Sequence, residues 1–82
     1  MSHTWQTQGD TLVLDRQFAD FAQALGYVNA VGALAEARNH HPDILLHGFN
    51  RVRLTLTTHD AGGTVTDADH AMAAAVDALD AA

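Results

Sequence analysis

A chain of 82 residues has room for one domain, residues 1–82, and buries only about 60–65% of the surface its unfolded form exposes, so self-association is expected. It has no cysteine, which excludes disulfides, thiolate nucleophiles and Cys-ligated zinc. Its ten acids (nine Asp and the single Glu36) against four Arg and no Lys give a net charge of −6, which repels phosphate backbones and argues against nucleic-acid binding.

No apolar run approaches the ~18–20 residues of a membrane span, and Met1-Ser2-His3-Thr4 carries no basic segment leading into an apolar one. A cytoplasmic protein without membrane contact is the expectation. Thr4 to Gln8 reads as a first strand with Trp5 as its large apolar residue, Gly9-Asp10 as a turn, and Thr11 to Phe18 as a second strand in a hairpin with the first. Leu12, Leu14 and Phe18 share one face of it; Asp15 and Gln17 share the other.

Asp20 is an N-cap, and Gln23 three residues on completes a capping box. The helix that follows runs to Arg38 or Asn39, with Phe21, Leu25, Val28, Gly32 and Ala35 at helical spacing and Ala24, Val31 and Leu34 widening the stripe. Gly26 and Gly32 weaken it by roughly 1 kcal/mol each relative to Ala, which reads as a need for close approach to a neighbouring element. Pro42 disfavours helical geometry at His41 and closes the helix before it. Asp43 to Gly48 is a third strand, Phe49-Asn50 a tight link, and Arg51 to Thr58 the clearest strand in the chain.

In that strand Val52, Leu54 and Leu56 point one way and Arg51, Arg53, Thr55 and Thr57 the other, as in an antiparallel sheet covered on one side. His59 to Val65 is a loop made flexible by Gly62-Gly63. Thr66 caps the last helix, Asp69 takes the capping-box position, and Ala68, Met72, Ala75, Val76 and Leu79 form its stripe to the chain's end. The fold class is α+β: a four-stranded antiparallel sheet with two helices on one face, in the order β-β-α-β-β-α.

The junction Glu36-Ala37-Arg38-Asn39-His40-His41-Pro42-Asp43 concentrates the chemistry. Glu36 and His40 stand at i and i+4, so the carboxylate can orient that imidazole and hold one tautomer. His40 and His41 are consecutive at a helix end and diverge, while Pro42 fixes the exit. His59, at the end of the clearest strand, can join them. Three imidazoles titrating near neutrality can donate one proton and remove another in a single site. A zinc site would instead need the three nitrogens to converge at about 2.0–2.1 Å from one point; no metal is expected. His3, His47 and His70 read as surface or strand residues, and Arg51 and Arg53 as solvated charges.

Glu36-x3-His40-His41-Pro42, then Phe49, then His59-Asp60-Ala61-Gly62-Gly63, then Asp69, resembles the signature of the pterin-4a-carbinolamine dehydratase family, also known as 4a-hydroxytetrahydrobiopterin dehydratases. The likeness extends from Trp5 through the last helix and includes Asp20-Phe21 and Asn50-Arg51-Val52. Two features depart from the pattern: only Met1 to Thr4 precede Trp5 where the family usually has a helix, and the stretch Gly63-Thr64-Val65-Thr66 is one residue longer than the usual Gly-Leu-Thr.

The resemblance implies a hydro-lyase that dehydrates 4a-hydroxytetrahydropterin to quinonoid dihydropterin, recycling the tetrahydrobiopterin-type cofactor of an aromatic amino acid hydroxylase. It implies no cofactor, and a homodimer or homotetramer. Carried over by position, it makes His40 and His59 the acid–base pair and gives His41 substrate contact with a share of that chemistry. Glu36, Pro42, Phe49, Asp60 and Asp69 become substrate-binding or supporting residues. The alternative in the same fold is a non-catalytic dimerisation or assembly factor; relatives of that kind tend to lose the histidine set, which this chain keeps.

Overall fold

Alternation in the second and fourth strands dictates the architecture. A computed structural model describes residues 5–79. It contains β1 (Gln6–Gln8), β2 (Thr11–Gln17), α1 (Phe21–Arg38), β3 (Asp43–His47), β4 (Arg51–Leu56) and α2 (Asp67–Ala78), with a 3-10 turn at His59–Ala61. The strands form one antiparallel sheet, as the element pattern predicts, and stand in it in the order β1-β2-β4-β3. Leu12 pairs with Leu56, Leu14 with Leu54 and Arg16 with Val52. The register therefore stacks the leucines of the two central strands on one face, and both helices cover it.

The core joins Leu12, Leu14, Val52, Leu54 and Leu56 of the sheet to Ala24, Tyr27, Val31 and Ala35 of α1 and to Met72, Ala73 and Val76 of α2. Each fully buried Leu or Val contributes about 1.5–3 kcal/mol relative to its exposed state. At the β1 edge, Trp5 packs on the core and its indole N–H donates to Asp77 Oδ1 at 3.1 Å, tying the chain before β1 to α2. No helix of the described residues is long and apolar enough to cross a membrane.

Several boundaries and faces differ from the sequence reading. The first strand begins at Gln6 and the last helix ends at Ala78; Thr4 and residues 80–82, to which the sequence reading extended these elements, lie outside the described residues. Strand β4 ends at Leu56, because Thr58 leaves the ladder to bridge Thr64 instead. The buried stripe of α1 is rotated away from Phe21 and Leu25, which are 51% and 41% exposed. Tyr27, which the periodicity did not single out, faces inward and packs against Phe18 at a ring separation of 5.0 Å. Small Ala24 and Ala35 let the helix settle on that side.

Nor do the glycines of α1 serve close approach: a Cβ built at Gly26 or Gly32 would meet nothing within 4 Å. In the cap of α1, Asp20 Oδ1 accepts the Gln23 N–H at 2.8 Å as expected, but Gln23 Oε1 accepts from Ala19, one residue further back than a standard box.

Candidate active site

The end of α1 explains how the two histidines part. Asn39 takes a left-handed conformation (φ 51°), and the His40 N–H donates back to the Ala35 carbonyl at 3.1 Å, a six-to-one bond of the Schellman type. This reversal takes His40 off the helical face it would share with Glu36. His40 swings to α2 instead, and His41 comes over the glutamate. The expected Glu36–His40 pair is therefore replaced by two others: Glu36 Oε2 with His41 Nε2, and Asp69 Oδ1 with His40 Nε2 at 2.7 Å.

Asp69 is fully buried, and each of its oxygens is engaged. Oδ1 meets His40; Oδ2 accepts the Thr58 hydroxyl at 2.6 Å and the Thr66 N–H at 2.9 Å. Burial pushes the carboxyl pKa up, but the bonds from Thr58, His40 and the Thr66 backbone outweigh it and hold the group below its ordinary value. The first turn of α2 adds a favourable positive dipole end.

An ionised carboxylate only accepts, so the proton directions follow. His40 Nε2 carries a hydrogen toward Asp69, Thr58 donates to Asp69, and the Thr66 hydroxyl donates to Thr58 across 2.7 Å. This leaves Nδ1 as the His40 nitrogen that gains or loses a proton. The capping position and the contact with the histidine are thus one function of Asp69: one oxygen caps α2 while the other orients His40.

His59 opens the 3-10 turn, whose closure uses the glycine pair. Gly62 (φ 81°) and Gly63 (φ 76°) take left-handed conformations, and their N–H groups donate to the carbonyls of His59 and Thr58 at 3.1 Å each. The result is one open cleft of about 160 Å³ lined by Asn39, His40, His41, Thr57, Thr58 and His59. The three predicted histidines thus border a common space. Among the described residues, no three His, Asp or Glu side chains are grouped as a metal ion would require.

Pro42 stands between His41 and β3, outside that lining. Asp60 lies in the middle of the 3-10 turn, and its side chain is outside what the structure describes. Phe49 does not reach the cleft of its own chain. It sits in the β3–β4 reversal, 63% exposed, about 16 Å from the histidine end by the length of a five-residue strand. The hairpin that brings His41 and His59 together necessarily puts its turn at the opposite end.

Sequence reasoning missed Thr58, which reads as one more polar strand residue. Its place beside His59 and eight residues before the Thr66 cap was the available signal.

The chain is thus an α+β domain in which three histidines line one cleft, one of them held against a buried carboxylate. The chain belongs to the pterin 4 alpha carbinolamine dehydratase family, whose model matches residues 1–79. A protein of Thermomicrobium roseum, provisionally named a pterin-4-alpha-carbinolamine dehydratase, is 51% identical over 69 residues, covering 84% of this chain and 72% of that one. A second, from Chloroflexus aurantiacus and named in the same way, is 48% identical over 75 residues, covering 92% and 78%.

Among solved structures, a transcriptional coactivator/pterin dehydratase from Brucella melitensis matches with a TM-score of 0.82 at 34% identity, over 92% of this chain and 80% of that one. A pterin dehydratase-like protein described as a RuBisCO assembly factor in the alpha-carboxysome matches with a TM-score of 0.73 at 31% identity, over 96% and 89%.

Proposed function

We propose that the protein dehydrates 4a-hydroxytetrahydropterin to quinonoid dihydropterin by histidine acid–base catalysis. The observation that carries this reading is the cleft shared by His40, His41 and His59, with His40 held by a buried, ionised Asp69. The reaction breaks the C4a–O bond and the N5–H bond and forms C4a=N5, releasing water. One imidazole gives its proton to the departing hydroxyl and another takes the N5 proton, so the pair together is unchanged in charge. His40 and His59 fill these two roles; His41 contacts substrate and shares the proton chemistry. Glu36 supports His41, and Asp69 positions His40 through Nε2.

In this reading the substrate is a tetrahydrobiopterin-type carbinolamine, and the enzyme works as a cytoplasmic homodimer or homotetramer that serves an aromatic amino acid hydroxylase. Purified protein supplied with enzymatically generated 4a-hydroxytetrahydropterin should accelerate its loss, followed spectroscopically, over the buffer rate; equal rates would reject the activity. A second reading, a non-catalytic assembly factor, draws support from the carboxysomal neighbour's description. It gains ground only if the dehydration assay is silent on folded protein.

A further inference from the structure

The sheet has two edges of opposite character. β1 is three polar residues, whereas β3 sets Ile44, Leu45 and Leu46 in a row on a regular ladder, with no Lys, Pro or bulge and only the terminal Asp43 as an acid. Natural edge strands are blunted by shortness, charge, Pro or a bulge, so β1 is poorly suited to pairing and β3 is open to it. Leu45 is exposed on the open face, and Ile44 and Leu46 on the other face are only partly buried.

A second copy adds antiparallel to this edge about a two-fold axis normal to the sheet, and side-chain alternation confines that axis to a residue. Leu45, the middle of β3, pairs the strand along its whole length. Asp43 then lies opposite His47 of the other copy, acid against imidazole, on both sides of the axis, and Leu45 covers Leu45. The same register brings Phe49 of one copy level with His41 of the other, about 5 Å away from strand to strand.

The reversal that carries Phe49 is fixed. Asn50 accepts the Phe18 N–H at 2.8 Å and donates from Nδ2 to the Phe18 carbonyl at 2.9 Å. Phe49 itself takes a left-handed φ of 58°, unfavourable for a bulky side chain, and its ring is left exposed. The histidine cleft lacks what this ring offers. Its volume of about 160 Å³ is below the roughly 300–1,000 Å³ of small-molecule pockets, and its lining residues are all polar where such pockets are mostly apolar.

We propose that two copies of the chain pair along β3 about Leu45, and that Phe49 of each forms the apolar wall of the other's histidine cleft, packing on the flat ring of the substrate. The pairing stands on the edge strand; the packing role rests on the dehydratase reading.

The chain has no cysteine, so Leu45→Cys introduces a lone thiol. Under mild oxidation it should give a covalent dimer, and Thr7→Cys on the β1 edge should not. Phe49→Ala should stay dimeric and lose about tenfold in kcat/KM. Co-expression of His40→Ala and Phe49→Ala in equal amounts decides whose cleft the ring serves. In a mixed dimer the subunit with intact His40 receives the intact Phe49 of its neighbour. The mixture should therefore recover about a quarter of the wild-type kcat/KM, half the dimers being mixed with one complete site each. A ring acting within its own chain would leave the mixture at the mean of the two variants. That result, unchanged kcat/KM in Phe49→Ala, a folded wild type that sediments as a monomer, no covalent dimer from Leu45→Cys, or an equal yield from Thr7→Cys would each overturn the proposal. A folded wild type silent in the dehydration assay would overturn the dehydratase reading and the wall with it, while the cross-link still decides the pairing.

Discussion

His40 and Asp69 are 29 residues apart, yet Nε2 of one and Oδ1 of the other are separated by 2.7 Å, and no other contact joins the end of α1 so directly to the start of α2 among the described hydrogen bonds. The pair fixes which imidazole nitrogen faces the carboxylate. It also ties the tautomer of a candidate catalytic base to a helix cap, because the same carboxylate accepts the Thr66 N–H.

Asp69→Asn should therefore invert the His40 tautomer. Thr58 and Thr66 both donate to Oδ2, so the amide oxygen of Asn would remain with them and its NH₂ would face His40. Nε2 would then be an acceptor and the hydrogen would move to Nδ1. We expect turnover to fall about 10²-fold, within the range for losing a general acid or base, with KM changed much less. Long-range ¹H–¹⁵N spectra of the imidazole should show the switch directly. An unchanged tautomer with full activity would remove Asp69 from its positioning role.

Thr58→Val keeps the shape of the side chain and deletes one donor to a buried carboxylate. It also leaves the Thr66 hydroxyl without its acceptor. Removing such a partner costs about 1–3 kcal/mol, and urea denaturation should register that loss. The conservative Thr58→Ser should recover most of it. Equal midpoints for wild type and Thr58→Val would mean that the hydroxyl is dispensable.

Much of this arrangement was readable in advance, and the part that was not has a local cause. Alternating Val52, Leu54 and Leu56 fixed the central strand and its inward face, and the capping pattern Thr66-x-x-Asp69 located α2. That His40, His41 and His59 would border one cleft was readable because the chain reverses before Pro42 and the hairpin returns. Their partners were misassigned because one left-handed residue, Asn39, breaks the i, i+4 geometry on which the Glu36–His40 pairing depended. The stripe of α1 was misjudged by a similarly small rotation, since Phe21 and Leu25 satisfy the same period as the buried set. Thr58 was invisible because its value lies in what reaches it from another element.

Acid should destabilise the fold through Asp69. Burial raises its carboxyl pKa, but the hydrogen bonds from Thr58, His40 and Thr66 win, so the folded value lies below the ordinary 3.8. Between those two values the unfolded chain binds more protons than the folded one, so stability rises with pH. The contribution is complete above the unfolded value and is lost as pH falls through the folded one. Thermal melts from pH 6 down to pH 2 should thus show a steep acid limb that flattens in Asp69→Asn. Asp15 is also lowered, first by its hydrogen bond with Arg53, but that pair is exposed and screened, so Asp15→Asn should leave the limb nearly intact. Equal slopes for wild type and Asp69→Asn would contradict the linkage.

The two carboxylate–histidine pairs should differ sharply in consequence. Asp69 is fully buried and His40 largely so, whereas Glu36 and His41 have side chains 78% and 56% exposed. An exposed pair is worth at most about 1 kcal/mol, so Glu36→Gln should change turnover by less than about fivefold. His40→Ala and His59→Ala should each lower it by about 10²-fold or more, as removal of a proton donor or acceptor does. The ordering separates two accounts of the junction. If Glu36→Gln were as damaging as His40→Ala, the exposed pair with His41 would be the working dyad. The buried contact with Asp69 would then serve to anchor α1 against α2, and the acid–base assignment would pass from His40 to its neighbour.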